Sequence, residues 1–324
     1  MTELLSAAQM RAIEQAAIEG GEVTGLELME RAGQGVVEAI FQQWPKLALE
    51  AHRAIVLCGP GNNGGDGLVV ARLLKEQAWE VDVFIYGNAE NLPPDAKTNY
   101  EKWQSLRDAQ PWDDAAIEDR LDESAHDIVV DALFGTGLTR GMPEDTARIW
   151  HAFMPRVFSQ AAEDRPKYVA IDIASGLCSD SGRNLQGALP SDLSVSFHRA
   201  KIGHYLMPMG PPAGGALWSG NVVVKDIGLQ SDPGNEMVHL AAPNVELLRK
   251  RTSQHKYEHG HALILSGGPG KTGAARLAAR GALRIGAGLV TIGCPMTALS
   301  EVAAQTTAIM CRPFDGAPGL TEHL

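Results

Sequence analysis

A chain of 324 residues with 44% hydrophobic content and 35 glycines has room for two domains, or for one large domain and part of another, and reads as globular and loop-rich. Its 39 acidic residues outnumber 28 lysines and arginines, and the formal charge of -11 excludes a basic nucleic-acid footprint and points to small-molecule partners. Cys58, Cys178, Cys294 and Cys311 form no CxxC pair, which excludes a zinc ribbon or a disulfide framework and fits a reducing cytoplasm.

The N-terminus MTELLSAAQMRAIEQAA lacks a basic start followed by an apolar run, and no stretch of about 18 apolar residues follows, so neither export nor a membrane span is expected. Residues 6–43 are predicted helical: Ser6 can cap the first helix, and Leu26, Met29, Ala32, Val36, Val37 and Ile40 recur at helical spacing. An alternation follows, with AIVLC (54–58), a helix from about Asp66, VDVFIY (81–86), a helix near 94–106, DIVVDALF (127–134), a helix near 143–160 and YVAIDI (168–173). Short apolar runs separated by helices argue for right-handed βαβ units and a parallel sheet covered on both faces. LSVSF (193–197) and NVVVKDIG (221–228) extend that sheet. The polar stretch LQSDPGNE (229–236) carries Pro and Gly, and it is the expected boundary between a domain at 1–230 and a second segment at 237–324. There the pattern restarts with ALILSGG (262–268), a helix near 272–286 and GLVTIG (288–293). About 90 residues is thin for an α/β domain, typically roughly 100–200.

CGPGNNGGDGLVVARLL places five glycines between a buried strand and an amphipathic helix. Glycine lets the backbone approach a ligand closely, and a helix N-terminus can receive an anion. Gly59, Gly61 and Gly64 fit GxGxxG, and Asp82 lies about 20 residues on, where a dinucleotide fingerprint wants an acid on ribose. An NAD-dependent oxidoreductase is therefore one reading. Against it, Asp66 at the expected helix start opposes a pyrophosphate on the helix dipole, and the amides Asn62 and Asn63 suggest a polar ligand or a cation. A plain tight turn explains two glycines better than five.

Two more strands end in polar residues, the first in Asp131 followed by a glycine-rich loop, the second in Asp172 with Ser175 three residues on. Doubly wound sheets bind ligands at such carboxyl ends. Asn63, Asp131 and Ser175 offer an amide oxygen, a carboxylate and a hydroxyl, hard donors that suit an alkali or alkaline-earth ion, and a single carboxylate favours a monovalent one. Either aspartate alone is more simply a loop cap. Three polar strand ends in one topological place favour a site.

LLSAAQMRAIEQ, GLELMERAG, GPGNNGGDGLVVARLL, DALFGTGL, DIASGL and FHRAKIGHY occur in that order and together resemble the NAD(P)H-hydrate epimerase family over about residues 1–228. The resemblance implies a Rossmann-like, doubly wound, mainly parallel sheet and an isomerase that epimerises C6 of hydrated NADH or NADPH, with one bound potassium ion (K+). It further implies that Asn62, Asn63, Gly64, Gly65 and Asp66, with Gly135, Thr136, Gly137, Leu138, Thr139, Arg140 and Gly141, line the substrate site. Potassium falls to Asn63, Asp131 and Ser175, and Asp172 contacts substrate. Asp172 is then the expected general acid/base, assisting loss and return of hydroxide across a flat nicotinamide intermediate. Lys201 is a second candidate, although a lone lysine is more often a solvated surface charge. The family has Asp-Ile-Pro-Ser-Gly where this chain has Ala174, so a less rigid Ser175 loop is expected.

In the second segment, GPGKT fails as a P-loop because the first glycine of that motif falls on Leu265. His255, His259 and His261, with Glu258, lack the spacing of a zinc site. The lead-in HKYEHG, the GG…TGAA loop and ALRIGAGLVT resemble the start of the ADP- or ATP-dependent NAD(P)H-hydrate dehydratase family, implying an incomplete ribokinase-like domain. That family's nucleotide site and catalytic aspartate lie in a later GxGD motif with no counterpart after Gly293, so dehydratase activity, and ADP or ATP as its cofactor, are not expected of these 324 residues, whose unfinished sheet leaves an open edge and an apolar face. Besides the isomerase, the open alternatives are the oxidoreductase and a non-catalytic nucleotide-binding module. Homo-oligomerisation is compatible with each.

Overall fold

The computed structural model describes residues 2–123, 127–138, 140–157, 165–185, 187–188, 190–206, 218–230, 238–242, 255–314, 316 and 319. A short β1 (Thr2–Leu5) leads into α1 (Ala7–Glu19) and α2 (Gly25–Gln43). Both helices start at capping boxes. The hydroxyl of Ser6 or Thr24 accepts the backbone N–H three residues on, and the side chain of Gln9 or Glu27 accepts the cap's own N–H.

The predicted alternation becomes β2 (Arg53–Cys58), α3 (Asn62–Glu76), β3 (Glu80–Ile85), α4 (Pro94–Gln104), β4 (Gln110–Pro111), α5 (Asp114–Glu123), β5 (Ile128–Ala132), α6 (Glu144–Val157), β6 (Lys167–Ile171) and β7 (Leu193–Phe197). After β8 (Ala200–Lys201) and α7 (Gly203–Leu206) comes β9 (Asn221–Lys225). Seven of these strands form one all-parallel sheet in the order β4-β3-β2-β5-β6-β7-β9. Side chains alternate across a strand, so the two faces of β2 enter different clusters. Ala54, Val56 and Cys58 pack with Val36 and Ile40 of α2 and Leu68 of α3. Ile55 and Leu57 pack with Ile117 of α5 and Ile149 and Phe153 of α6. Burial on both faces is what makes these strands read as unbroken apolar runs.

Helix α3 begins at Asn62, four residues before the expected start near Asp66. Gly64 and Gly65 are helical because the space beside them is taken: a Cβ on Gly64 would meet the Gly59 carbonyl oxygen at 2.0 Å, and one on Gly65 would meet Met29 Sδ at 2.5 Å. Glycine costs a helix interior about 1 kcal/mol relative to alanine, and tight packing onto α2 and the preceding loop overrides that preference. Asp66 therefore stands in the second turn.

The first of two compact units runs from Met1 to Ala241, past the expected linker, because β10 (Val238–Leu240) pairs antiparallel with β1, whose other edge pairs parallel with β8. The second unit, Ala242–Leu324, holds a three-stranded parallel sheet of β11 (His261–Leu265), β12 (Leu289–Cys294) and β13 (Met310–Pro313) with α8 (Gly273–Ile285) and α9 (Leu299–Ala304). Its histidine cluster is used locally: Glu258 accepts the His255 backbone N–H at 3.0 Å, and His261 Nε2 lies 2.7 Å from Thr291 Oγ1. Among the described residues, no helix is long and apolar enough to cross a membrane.

The β2–α3 turn gives a direct test of the packing. A Cβ on Gly59 would lie 1.7 Å from the Leu133 carbonyl oxygen, whereas one on Gly61 meets nothing within 4 Å and Gly61 is extended, with φ -118°. In urea unfolding, Gly59→Ala should cost about 3 kcal/mol or more by forcing the backbone apart. Gly61→Ala should change stability by less than about 0.5 kcal/mol, the range of uncrowded surface positions. Equal losses would contradict the assigned contact.

Candidate active site

The strand order reverses at β2, with β3 and β4 on one side and β5, β6, β7 and β9 on the other. At such a switch point the loops leaving the carboxyl ends diverge and open a crevice. A cavity of about 490 Å³ lies there. Asn62, Asn63 and Asp66 of α3, Gly135 to Leu138 and Arg140 after β5, and Asp172 after β6 all line it. The sequence-derived set is thus largely brought together. Gly64 and Gly65 serve packing instead, Gly141 is exposed outside the lining, and Thr139 lies outside the described residues. Arg11 and Glu14 of α1 and Phe197 at the end of β7 line it too. Sequence reasoning assigned these three no role, although the motifs LLSAAQMRAIEQ and FHRAKIGHY contain them.

Asp172 sits where β6 ends, in a γ-turn closed by the Ile173 N–H donating to the Ile171 carbonyl at 2.8 Å, with φ +63°. A non-glycine residue held there costs about 1–3 kcal/mol, which surrounding bonds must offset. Its backbone N–H donates to the Val195 carbonyl at 2.8 Å. Oδ1 accepts Lys201 Nζ at 3.0 Å and faces the Ser196 hydroxyl at 3.3 Å, while Oδ2 accepts the Thr136 N–H at 3.3 Å. Burial alone would raise the Asp172 pKa. The charge and hydrogen bond of Lys201, aided by Thr136, outweigh it and hold the carboxyl below its ordinary value.

Lys201 is no solvated surface charge. Its side chain is 1% exposed, and Nζ has Asp172 Oδ1 at 3.0 Å, Ser196 Oγ at 2.9 Å, the Arg199 carbonyl at 3.0 Å and the Phe197 carbonyl at 3.4 Å. An ammonium has three protons, so this one is saturated. Lys201 is absent from the cavity lining and acts as a counter-charge.

Across the cavity the balance is opposite. Desolvation, then the nearby charges of Asp172 and Glu14, push the Asp66 carboxyl well above its ordinary value. Glu14 is raised as well, first by desolvation and then by Asp172. One cavity thus holds a carboxylate whose proton affinity is lowered by a buried cation and a second carboxyl group whose proton affinity is raised.

Asp131 and Ser175 lie one layer behind this wall. Asp131 accepts the Ser175 N–H at 2.7 Å and hydroxyl at 2.5 Å and the Leu133 N–H at 3.2 Å, and Ser175 Oγ accepts the Phe134 N–H at 2.9 Å. These bonds fix the loop that carries Ala174 in place of the family's proline. Burial pushes the Asp131 carboxyl up to about 6 in spite of them, and it forms no ion pair among the described residues. Asn63 packs beside Gly135, where a Cβ would approach its Oδ1 at 2.9 Å, and its buried Nδ2 has no hydrogen-bond partner.

The dinucleotide fingerprint is not assembled. Asp82 lies in mid-strand opposite Ile55, with Arg107 at 3.1 Å and Arg120 at 4.0 Å, far from the carboxyl end where a ribose would sit. The Asp172–Lys201 pair is open to test. In thermal or urea unfolding, Lys201→Met should destabilise by about 3–5 kcal/mol, because it strands a buried carboxylate. A loss below about 1 kcal/mol, the range of exposed pairs, would contradict a buried counter-charge.

Residues 25–203 match the family model described as YjeF-related protein N-terminus, and residues 262–323 match NAD(P)H-hydrate dehydratase. The chain is 45% identical over 209 residues to an NAD(P)H-hydrate epimerase of Rhodobacter capsulatus, covering 63% of this chain and 92% of that protein. It is 41% identical over 246 residues to that of Roseobacter litoralis, covering 71% of this chain and 100% of the relative. A bifunctional NAD(P)H-hydrate repair enzyme of Moorella thermoacetica is 33% identical across 97% of this chain, which spans 58% of that enzyme's length. The crystal structure of yeast ynu0 superposes with a TM-score of 0.54 at 25% identity, over 62% of this chain and 82% of the yeast one. With a relative this similar matched over nearly its whole length, a family model covering more than half of the sequence, and the shared doubly wound sheet, the chain belongs to the NAD(P)H-hydrate epimerase family.

Proposed function

We propose that this chain repairs damaged nicotinamide cofactors by interconverting the R and S forms of hydrated NADH and NADPH at C6. The observation that carries the reading is the pair of carboxyl groups, Asp66 and Asp172, that line one cavity at the switch point with their proton affinities driven apart. Family membership supplies the substrate class.

C6 of a hydrated nicotinamide bears a hydroxyl beside the ring nitrogen N1. Asp66 protonates that hydroxyl, the N1 lone pair expels it as water, and a flat C6=N1 cation remains. Water adds back to either face, and the Asp172 carboxylate accepts the proton released. Return of that proton to Asp66 closes the cycle with no net change except configuration. No electrons enter or leave the nicotinamide. Arg11 and Arg140 at the mouth suit the pyrophosphate of the cofactor.

One potassium ion is proposed to bind through Asn63, Asp131 and Ser175. The donor set fits: the ligating atoms are oxygens, and Asp131 is a buried carboxylate without an ion pair among the described residues. Bound there, the ion would supply positive charge beside the loops carrying Phe134 and Ser175. The proton transfers belong to Asp66 and Asp172.

Two measurements check this. A single purified epimer of hydrated NADH should equilibrate in the presence of the wild-type chain, while Asp172→Asn and Asp66→Asn each slow the reaction by about 10²–10⁴-fold, the usual worth of a positioned acid or base. Near-normal interconversion by Asp172→Asn would remove that residue from the chemistry. Potassium chloride should raise the thermal midpoint of the wild type above its value in tetramethylammonium chloride and leave Asp131→Asn unmoved. An equal rise in both would place the ion elsewhere.

A further inference from the structure

The γ-turn that presents Asp172 has a counterpart on the next strand. At the end of β7, His198 adopts φ +60°, and the Arg199 N–H donates to the Phe197 carbonyl at 2.6 Å. In both turns the central N–H still joins the sheet, Asp172 to Val195 and His198 to Lys225, each at 2.8 Å. The central carbonyl of such a turn points away from the ladder and needs a donor from elsewhere. For His198 the donor is Arg199 Nη1 at 2.8 Å, and for Asp172 it is His204 Nε2 at 2.8 Å.

His204 is fully buried and absent from the cavity lining. Its Nδ1 lies 3.0 Å from the backbone nitrogen of Lys201. The Lys201 carbonyl lies farther from Nδ1, at 3.2 Å, than the Asp172 carbonyl does from Nε2, and the Lys201 N–H can only donate, so Nδ1 carries a lone pair and the ring proton sits on Nε2, aimed at the Asp172 carbonyl. Desolvation and then the Lys201 charge keep the imidazole neutral, its pKa pushed down to about 4. Asp172 is thereby held at both ends, with Lys201 Nζ on the carboxylate and His204 on the carbonyl, and the Lys201 N–H joins the two holders. Gly203 makes this seat possible: a Cβ there would meet the Cys178 carbonyl oxygen at 2.2 Å, and its N–H donates to Ser179.

We propose that His204 is a positioning residue for the epimerisation, an imidazole in the Nε2–H tautomer that clamps the strained main chain of Asp172 so that Oδ2 is presented to the cavity. The kinetic part of this proposal rests on the epimerase reading. The tautomer does not.

Three measurements on the full chain test it. In a two-bond 15N–1H correlation spectrum of the wild type at neutral pH, His204 should show one protonated nitrogen, Nε2. A protonated Nδ1 or a doubly protonated ring would overturn the proposal. Phe at 204 keeps the ring shape without the donor, so His204→Phe should lower kcat on the order of 10²-fold with KM shifted less than about threefold, the signature of a misplaced reacting group. Gln at 204 returns an N–H near the Nε2 position, so His204→Gln should recover at least about tenfold of that loss at a thermal midpoint equal to that of His204→Phe. A kcat for His204→Phe within about twofold of wild type, or a folded His204→Gln no faster than His204→Phe, would overturn it. Should His204→Phe fail to fold, the wild-type spectrum and the kcat of His204→Gln against wild type decide, a loss beyond about tenfold counting against. A wild-type chain that does not equilibrate the epimers defeats the epimerase reading and leaves the spectrum to judge the clamp.

Discussion

A buried ion pair at the end of β6 organises the first unit. Asp172 and Lys201 lie 3.0 Å apart in a seam where neither is more than slightly exposed, and bringing two charges there costs free energy that their attraction only partly returns. Such a pair is poor evidence for stability and better evidence for a task. The task visible here is to hold a carboxylate ionised beside a cavity that would otherwise favour its neutral form. Several features of the fold serve that end. Strand β7 offers Val195 and Ser196, β8 delivers Lys201 from its pairing with β1, and the loop after β5 supplies the Thr136 N–H to the other carboxylate oxygen.

Asp66 gains its meaning from the same pair. With Lys201 spent on Asp172, no buried cation among the described residues offsets Asp66, and the charges of Asp172 and Glu14 add to its desolvation. Two chemically equivalent side chains thus acquire opposite proton affinities within one cavity, the usual basis for dividing acid and base roles. The glycine-rich turn that superficially matches a dinucleotide fingerprint is built for something else. Gly59 and Gly64 allow backbone to touch backbone, while the first turns of α3 give Asn62, Asn63 and Asp66 to the cavity.

What could be read from the sequence follows from what each residue buries. The strands of the large sheet were legible because both their faces are covered, so Ala54 to Cys58 or Ile128 to Val130 appear as unbroken apolar runs. The switch-point residues were legible as polar groups at the ends of those runs. Helix α3 was placed four residues late because Gly64 and Gly65 argue locally against a helix, and only their contacts with Gly59 and Met29 show why they belong in one. The strands β1, β8 and β10 are too short for a period to show, and their pairing carries the first unit past the polar stretch LQSDPGNE. Lys201 is legible only as a second candidate and His204 not at all, for another reason. A lone lysine or histidine reads as a surface group until the chain folds acceptors around it.

The measurement that bears most directly on this account is a crystal structure of the chain with hydrated NADH, grown in potassium. Epimerisation only inverts the configuration of the ligand at C6, so a soaked crystal keeps an occupant in one or the other C6 form. The account predicts the nicotinamide in the switch-point cavity with the C6 hydroxyl within about 2.6–3.2 Å of a carboxyl oxygen of Asp172 or Asp66, the reach of proton transfer. A nicotinamide bound elsewhere, with neither carboxyl touching the C6 hydroxyl, would contradict it.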